Sequence, residues 1–292
     1  MRKFILTLMA VSLVVLAACG SNNEEGSSAE GSDKAEEKGT ITFAVTPWTS
    51  TVPPTKVAGL IIEEMGYTVE ETQADVSSTF VGLSRGDLDV FMDSWMPAHQ
   101  YQYEEYKDSI EKVSISYKDA DSGLVIPTYV EGIEKVSDLK GREDEFGNKI
   151  YGIEEGASAT KMMRDLIKEA DLDLELVTSS EGGMLAQAQR EMSQNNPVIF
   201  YGWRPHTMFN KFDIKVIEDD YGYFTPSDVH VLANKDLKEK APDVYKFLQN
   251  WSIPLEDVEA MIVKIEDGQD PREVAQEWID NNQDKVNKML GK

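Results

Sequence analysis

Cysteine is nearly absent from this sequence, which contains Cys19 and no other cysteine among its 292 residues. A single cysteine excludes an internal disulfide and any zinc site built from several thiolates. Histidine is scarce as well, and the three residues of this type are far apart, without the spacing of metal ligands. We therefore expect neither a bound metal nor a cofactor.

Signatures of catalysis are missing too. The chain has no Gly-x-Ser-x-Gly nucleophile elbow, no P-loop and no Gly-x-Gly-x-x-Gly dinucleotide fingerprint. Its 53 Asp and Glu residues are too numerous for any pair to stand out as a general acid and base. These absences favour a binding protein that is not an enzyme, with a surface-anchored hydrolase using His99 or His206 as an alternative that lacks a nucleophile motif.

Basic residues are in short supply. The chain has 29 Lys and Arg, and its formal net charge is −24 at pH 7. Nucleic acid and anionic lipid surfaces are poor partners for a protein with this negative charge, because like charges repel. A cationic or zwitterionic small ligand is compatible with the charge, although solubility alone also explains an acidic surface.

Long apolar runs are missing except at the amino terminus, where residues 4–18 follow Arg2 and Lys3. This pattern is typical of a secretory signal peptide and is short for a membrane-spanning helix. We interpret residues 1–18 as that signal, cleaved before Cys19. Residues 19–39 then form a flexible acidic tether, because residues 20–39 have no aromatic or β-branched side chain to bury.

Two segments repeat the same order of elements, strand–helix–strand–helix–strand, which is typical of a parallel sheet with crossover helices. Ile41 and Trp95 are separated by 54 residues, and so are Lys149 and Trp203. Extended stretches at residues 122–127 and 227–232 read as two crossings between lobes, and helical patterns fill residues 235–290, which we expect to pack on the first lobe. We predict an α/β protein of two lobes, each a mostly parallel sheet flanked by helices, joined by two hinge crossings. Lobe I comprises residues 40–125 plus 231–292, and lobe II comprises residues 126–230.

Three tryptophans, Trp48, Trp95 and Trp203, come just after predicted strands, where open α/β sheets form ligand crevices. In two cases a proline ends the strand and a histidine follows, in Trp95-Met-Pro-Ala-His99 and Trp203-Arg-Pro-His206. Indole faces attract a quaternary ammonium, which has no N–H to donate. The alternative is that these tryptophans are ordinary core residues, as we interpret Trp251 and Trp278.

The small-residue loop Gly156-Ala157-Ser158-Ala159 precedes a predicted helix. Free backbone N–H groups and the helix dipole at such a position suit an anion such as a carboxylate. The alternative is that the small residues only allow a strand and a helix to pack closely. His99 could donate to the same carboxylate, or it could be a surface or helix-start histidine; His206 and His230 have no evident partner and read as structural.

These segments resemble the substrate-binding lipoproteins of ABC importers for glycine betaine and related osmoprotectants, the OpuAC-like family. The resemblance rests on Trp48 in Thr-Pro-Trp-Thr-Ser-Thr, Asp-Ser-Trp-Met-Pro-Ala-His at residues 93–99, the Gly156–Ala159 loop, and Gly-Trp-Arg-Pro-His-Thr-Met-Phe at residues 202–209. It covers nearly all of residues 40–292. In some relatives the half-domains occur in the opposite order, and in some the histidine lies one residue further from the tryptophan.

The resemblance implies a type II periplasmic-binding-protein fold that closes on its ligand. It implies that Trp48, Trp95 and Trp203 cage the trimethylammonium group. The amides of Ser158 and Ala159, with His99, would hold the carboxylate. Choline, carnitine and proline betaine are alternative ligands within the same fold, and a purely adhesive lipoprotein is an alternative of another class.

Cys19 with the following Gly20-Ser21-Asn22 also resembles the lipobox of bacterial lipoproteins. That implies a diacylglycerol on Cys19, which would anchor the protein to the outer face of the cell membrane through the lipid alone. The alternative is an ordinary signal peptide whose cleavage site falls near a cysteine. The partners implied are the transmembrane subunits of an ABC importer, no nucleic acid, and no second copy of the chain.

Overall fold

The structure is a computed structural model, and it describes residues 38–292. The predicted signal peptide, Cys19 and almost all of the predicted tether lie outside these residues. The strands of the described part, in chain order, are β1 (Thr40–Val45), β2 (Thr68–Gln73), β3 (Val90–Met96), β4 (Ile110–Ala120), β5 (Ser122–Pro127), β6 (Lys149–Gly152), β7 (Glu175–Thr178), β8 (Phe200–Trp203), β9 (Ile214–Val216) and β10 (Ser227–Asn234).

The helices alternate with these strands and then fill the end of the chain. They are α1 (Val52–Glu64), α2 (Val76–Arg85), α3 (Gln100–Tyr106), α4 (Ser158–Glu169), α5 (Glu181–Ser193), α6 (Met208–Lys211), α7 (Leu237–Lys240), α8 (Pro242–Gln249), α9 (Leu255–Glu266), α10 (Pro271–Asn281) and α11 (Gln283–Met289). Within residues 38–292, no helix is both long enough and apolar enough to cross a membrane.

The first sheet has the strand order β2-β1-β3-β10-β4. Strands β2, β1 and β3 are parallel, and β10 runs antiparallel to both β3 and β4. The second sheet repeats the arrangement with the order β7-β6-β8-β5-β9, in which β5 is the antiparallel strand. The predicted α/β, two-lobed fold is confirmed. Each sheet is mixed, because the strand that arrives from the other lobe enters against the direction of its neighbours.

The chain passes from the first sheet to the second between Ala120 and Ser122, and it returns from β9 into β10, which begins at Ser227. We call the unit built on the first sheet lobe I and the unit built on the second sheet lobe II. The boundaries predicted at 125/126 and 230/231 fall inside β5 and β10. Both strands are buried along most of their length, and their sequence does not reveal which sheet they join.

Local signals explain the helices next to the cleft. Pro53 and Pro54 lie in the first turn of α1, where a missing N–H costs nothing. The Asp75 carboxylate caps α2, and Gly86 ends that helix in the left-handed conformation with φ of 77°. Ser180 caps α5 through the Gly183 N–H. These caps fix where each helix begins, and thereby which residues face the gap between the lobes.

The C-terminal helices pack on lobe I, as the sequence predicts. Helix α10 packs against α1, and α8 and α9 pack against β4. Within the helical region predicted over residues 235–290, Asn282 separates α10 from α11. Strand β4 and helix α3 have no counterpart in the sequence-based interpretation. In β4, Val113, Ile115 and Tyr117 alternate with serines as in a strand, whereas α3 has no buried residue.

Candidate functional site

A pocket lies between the two lobes, and both sheets contribute to its walls. All six residues that the resemblance implies line this pocket: Trp48, Trp95, His99, Ser158, Ala159 and Trp203. The pocket also contains residues that the sequence analysis did not select for a site, among them Ser50, Met162, Tyr201 and Tyr223. The tertiary structure therefore brings the whole predicted set together and enlarges it.

Trp95 in β3 and Trp203 in β8 hold equivalent positions in the two lobes. Trp95 is the penultimate residue of β3 and Trp203 is the last residue of β8, so both lie inside strands and not on the following loops as predicted. Each is followed by a cis peptide bond, at Met96-Pro97 and at Arg204-Pro205. Trp95 is 9% exposed and Trp203 is 4% exposed, so each indole is buried while one part of it faces the pocket.

A buried carboxylate holds the edge of the Trp95 indole. The Nε1–H of Trp95 donates to Asp93 Oδ1 at 3.1 Å, and the hydroxyls of Tyr117 and Ser50 donate to the same carboxylate at 2.7 and 2.8 Å. Burial raises the pKa of Asp93, and the three donated hydrogen bonds oppose that rise. Asp93 precedes Trp95 by two residues, so both side chains project from the same face of β3.

Aromatic packing holds the Trp203 indole instead. The Tyr201 ring stacks on it with a centroid separation of 5.4 Å and an interplanar angle of 28°. The His206 ring meets it edge-on at 4.8 Å. Tyr201 is buried, and burial raises the pKa of its phenol to about 12. Because side chains alternate along a strand, Tyr201 could have been found in the sequence from its spacing of two to Trp203.

Trp48 lies in the loop after β1, and its contacts cross to lobe II. Its Nε1–H donates to Glu154 Oε2 at 2.9 Å. The next residue, Thr49, donates its N–H and its hydroxyl to the two carboxylate oxygens of Glu181, at 3.1 and 3.0 Å. Further polar contacts between the lobes join Arg204 to Glu259 at 3.2 Å and Gln102 to Ser158 at 3.4 Å. The lobes are therefore closed around the pocket.

The amino end of α4 faces the pocket. Ala157 is the N-cap residue, no side chain caps the helix, and Ser158 and Ala159 are its first two residues. The N–H groups of a first turn have no acceptor within the helix, and the helix dipole adds positive potential there. The local geometry suits an anionic group of a small ligand.

His99 lies in the pocket wall and is buried, with 3% of its surface exposed. The rings of Phe80 and Phe91 lie at 6.2 and 6.5 Å from the imidazole, and Ser94 Oγ lies 3.4 Å from its Nδ1. Burial lowers the pKa of His99 to about 4, so the imidazole is neutral at physiological pH. A neutral imidazole still offers one N–H donor.

His206 has partners that the sequence did not reveal. Its Nδ1 accepts the Met208 N–H at 2.9 Å, so its Nε2 carries the hydrogen and donates to Glu181 Oε1 at 2.9 Å. Glu266 lies in the same cluster and accepts from Thr207 and Lys211. Both imidazole nitrogens are engaged, which leaves no lone pair for a metal. The cluster instead links α9 of lobe I to lobe II.

Three comparisons with known proteins agree with this geometry. A family model described as the substrate binding domain of ABC-type glycine betaine transport system, OpuAC, matches residues 39–281. The match includes both lobes and every residue predicted for the pocket.

Among curated proteins, the glycine betaine/carnitine transport binding protein GbuC of Listeria monocytogenes is 38% identical over 143 residues. That alignment covers 48% of this chain and 48% of that protein, so it spans about half of the relative's length. The glycine betaine/proline betaine-binding periplasmic protein of Escherichia coli is 22% identical over 270 residues, covering 77% of this chain and 81% of that protein.

Among solved structures, lactococcal OpuAC in its closed-liganded conformation with glycine betaine is similar, with a TM-score of 0.81 and 29% identity. The superposition covers 86% of this chain and 99% of the lactococcal OpuAC chain. An ABC-transporter choline binding protein in complex with choline has a TM-score of 0.79 and 31% identity, covering 86% of this chain and 91% of that chain.

Proposed function

Since this chain belongs to the family of substrate-binding domains of ABC-type glycine betaine transport systems, we propose that it binds glycine betaine or a related quaternary ammonium osmoprotectant in the interlobe pocket and delivers it to the membrane subunits of an importer. The observation that carries this proposal is the pocket itself. It combines three indoles with the uncapped amino end of a helix.

The cationic end of such a ligand belongs among Trp48, Trp95 and Trp203. A quaternary ammonium has no N–H and cannot be recognised by hydrogen-bond acceptors, so aromatic faces are its natural partners. Each indole face contributes roughly 0.5–2 kcal/mol when it is desolvated. The tight burial of Trp95 and Trp203 favours the upper part of that range.

The carboxylate end belongs at the start of α4. The N–H groups of Ser158 and Ala159 are the donors, and the neutral His99 can add a third. A hydrogen bond to a charged acceptor contributes about 1.5–3 kcal/mol, because the anion strengthens it. The pocket thus provides opposite ends for opposite charges, which matches a zwitterion.

Choline is the second candidate ligand, favoured by the similarity to a choline binding protein at 31% identity. It has the same cationic head but no carboxylate, so it would leave the α4 amides without an anionic partner. Carnitine and proline betaine retain a carboxylate and belong with glycine betaine in this respect.

The remaining features of the proposal concern location and assembly. We expect an extracytoplasmic protein anchored by a lipid on Cys19, which binds as a monomer and catalyses no reaction. Lipidation is tested by mass spectrometry of the protein purified from membranes, compared with a Cys19→Ala variant. A mass increase confined to the native protein supports the anchor, whereas equal masses contradict it.

The ligand is tested by calorimetric titration of the purified protein with glycine betaine, choline, carnitine and proline betaine. Saturable binding of glycine betaine that is tighter than that of choline supports the proposal. Preference for choline would assign the second candidate. Absence of binding by all four compounds would overturn the function proposed here.

A further inference from the structure

The hydrogen bond between Trp48 and Glu154 joins the two lobes at the wall of the pocket. We infer that Glu154 is a positioning residue, which holds the Trp48 indole in the aromatic cage only while the lobes are closed. This inference rests on the function proposed above, and it adds a residue that the sequence analysis did not select.

Glu154 is firmly placed in lobe II. It lies two residues after the end of β6, and its backbone carbonyl accepts the Ala157 N–H at 3.0 Å and the Thr160 hydroxyl at 2.8 Å. With its backbone held at the start of α4, the carboxylate extends across the gap to Trp48. An indole has a single N–H, and Trp48 donates it to the opposite lobe.

The contact of Thr49 strengthens the argument independently. The Glu181 carboxylate is 7% exposed and accepts both the N–H and the hydroxyl of Thr49, while His206 holds the same carboxylate from its own lobe. Two successive residues of the β1 loop are therefore held by two carboxylates of lobe II. Opening the lobes would break both sets of contacts at once.

Trp95 provides the contrast. Its N–H donates to Asp93, two residues away on the same strand, so its orientation does not depend on the position of lobe II. The Trp48 ring packs on the apolar core of lobe I, but its N–H donates to lobe II, so the hydrogen bond that fixes the edge of this indole forms only on closure. A ligand cation that packs on Trp48 then stabilises the closed form, because a ligand shifts an equilibrium by its differential affinity for the two states.

The test compares Glu154→Ala with the matched control Glu155→Ala. Glu155 is the adjacent carboxylate, but it is exposed and pairs with Arg164 on the surface of lobe II. Because loss of a hydrogen bond to a charged acceptor costs about a factor of ten or more in affinity, we expect the Kd for glycine betaine to rise about tenfold in Glu154→Ala. The rise should come from faster dissociation, because the contact exists only after closure, and Glu155→Ala should bind as the unaltered protein does.

A double-mutant cycle with Trp48→Phe separates a positioning role from a general one. A phenyl ring has no N–H, so adding Glu154→Ala to Trp48→Phe should change the Kd by less than about twofold. Should Glu154→Ala fail to fold, Glu154→Gln replaces it, since its amide oxygen can still accept and an intermediate loss is expected.

Two results would overturn the inference: unchanged affinity in Glu154→Ala, or an equal loss in the presence and absence of the Trp48 indole. Failure of the proposed function is distinguishable from both, because the unaltered protein would then bind none of the quaternary ammonium compounds. In that case both proposals fall together.

Discussion

The two lobes differ most where their first strand leads into their first helix. In lobe I, the loop after β1 presents Trp48, and α1 then begins with Val52-Pro53-Pro54. In lobe II, the corresponding loop after β6 presents Glu154, and α4 begins with Ser158-Ala159-Thr160. Proline has no N–H, so the start of α1 lacks donors that the start of α4 retains. The same topology thus provides an aromatic face in one lobe and anion-binding amides in the other.

Strands β3 of lobe I and β8 of lobe II are alike in sequence pattern but differ in what surrounds their tryptophans. Both β3 and β8 have a tryptophan in one of their last two positions, followed by a cis-proline, yet Trp95 is held at its edge by Asp93 and Trp203 is held on its face by Tyr201. The two histidines that follow differ as well, since His99 lies among phenylalanines and His206 donates to Glu181. The repeated Trp-x-Pro pattern therefore determines where each tryptophan lies, while the neighbouring side chains determine which contacts it makes.

The largest effect is expected when the tryptophan that each lobe contributes from its sheet is replaced. Trp95→Ala and Trp203→Ala should each weaken glycine betaine binding by about a hundredfold, because a cation–π contact and apolar burial are lost together. Calorimetry measures the Kd of each variant. Trp251→Phe is the matched control, since Trp251 is a fully buried core residue outside the pocket; it should lower the melting temperature and leave the Kd unchanged. Normal binding by both alanine variants would refute the cage.

The second prediction concerns the N–H donors at the start of α4, which the start of α1 lacks. Ser158→Pro places a proline at the first position of α4, where it is tolerated, and Ala157 before it already has the extended backbone that proline requires, with ψ of 142°. One donor is lost, so binding of glycine betaine should weaken about tenfold while binding of choline stays constant. Ser158→Ala keeps the N–H but, like Ser158→Pro, loses the hydroxyl that Gln102 contacts across the lobes, so it is the matched reference for the loss caused by the missing N–H. An equal loss for both ligands would mean that the variant damages the pocket in general.

The third prediction concerns how Trp203 is held. Tyr201→Leu removes the stacked ring and should weaken binding about fivefold, since an aromatic pair contributes about 0.5–1.5 kcal/mol. Tyr201→Phe keeps the ring and should stay within about twofold of the unaltered protein. If the two variants behave alike in calorimetry, stacking does not position Trp203.

The last prediction concerns His99 and is measured in the stability of the protein, not in ligand binding. Burial lowers the pKa of His99 to about 4 from 6.5, so the unfolded chain takes up the proton first as the pH falls. The free energy of unfolding should therefore decrease between pH 6.5 and 4, with this group contributing up to about 1.4 kcal/mol per pH unit. His99→Gln should make that slope shallower in urea titrations. Equal slopes in the two proteins would contradict a buried, neutral imidazole.

The sequence predicts much of the architecture. The predicted family is confirmed, as is the two-lobed α/β fold. The predicted order strand–helix–strand–helix–strand is present twice, as β1-α1-β2-α2-β3 and as β6-α4-β7-α5-β8, because apolar periodicity, prolines and glycines act locally. Helix α3 has no buried apolar face that could reveal it, whereas β4 was missed although Val113, Ile115 and Tyr117 alternate with serines.

The sequence predicts some of the site residues, and only the structure reveals the others. The sequence has five tryptophans, so those of the pocket could be singled out from their places after strands. The small-residue loop could be recognised because it precedes the helical pattern of α4. The carboxylates that orient the pocket could not be chosen from 53 Asp and Glu residues. Glu154, Glu181 and Asp93 become identifiable only from the donors that face them.

The sequence by itself therefore determines which elements form and which side chains they place at the ends of strands, because those properties depend on near neighbours in the chain. Only the tertiary structure decides which of these side chains meet. Trp48 and Glu154 are 106 residues apart and belong to different sheets, so their hydrogen bond depends on the packing of two lobes and on their closure. Contacts of that kind arise from the geometry of the assembled lobes, which no local pattern of residues encodes.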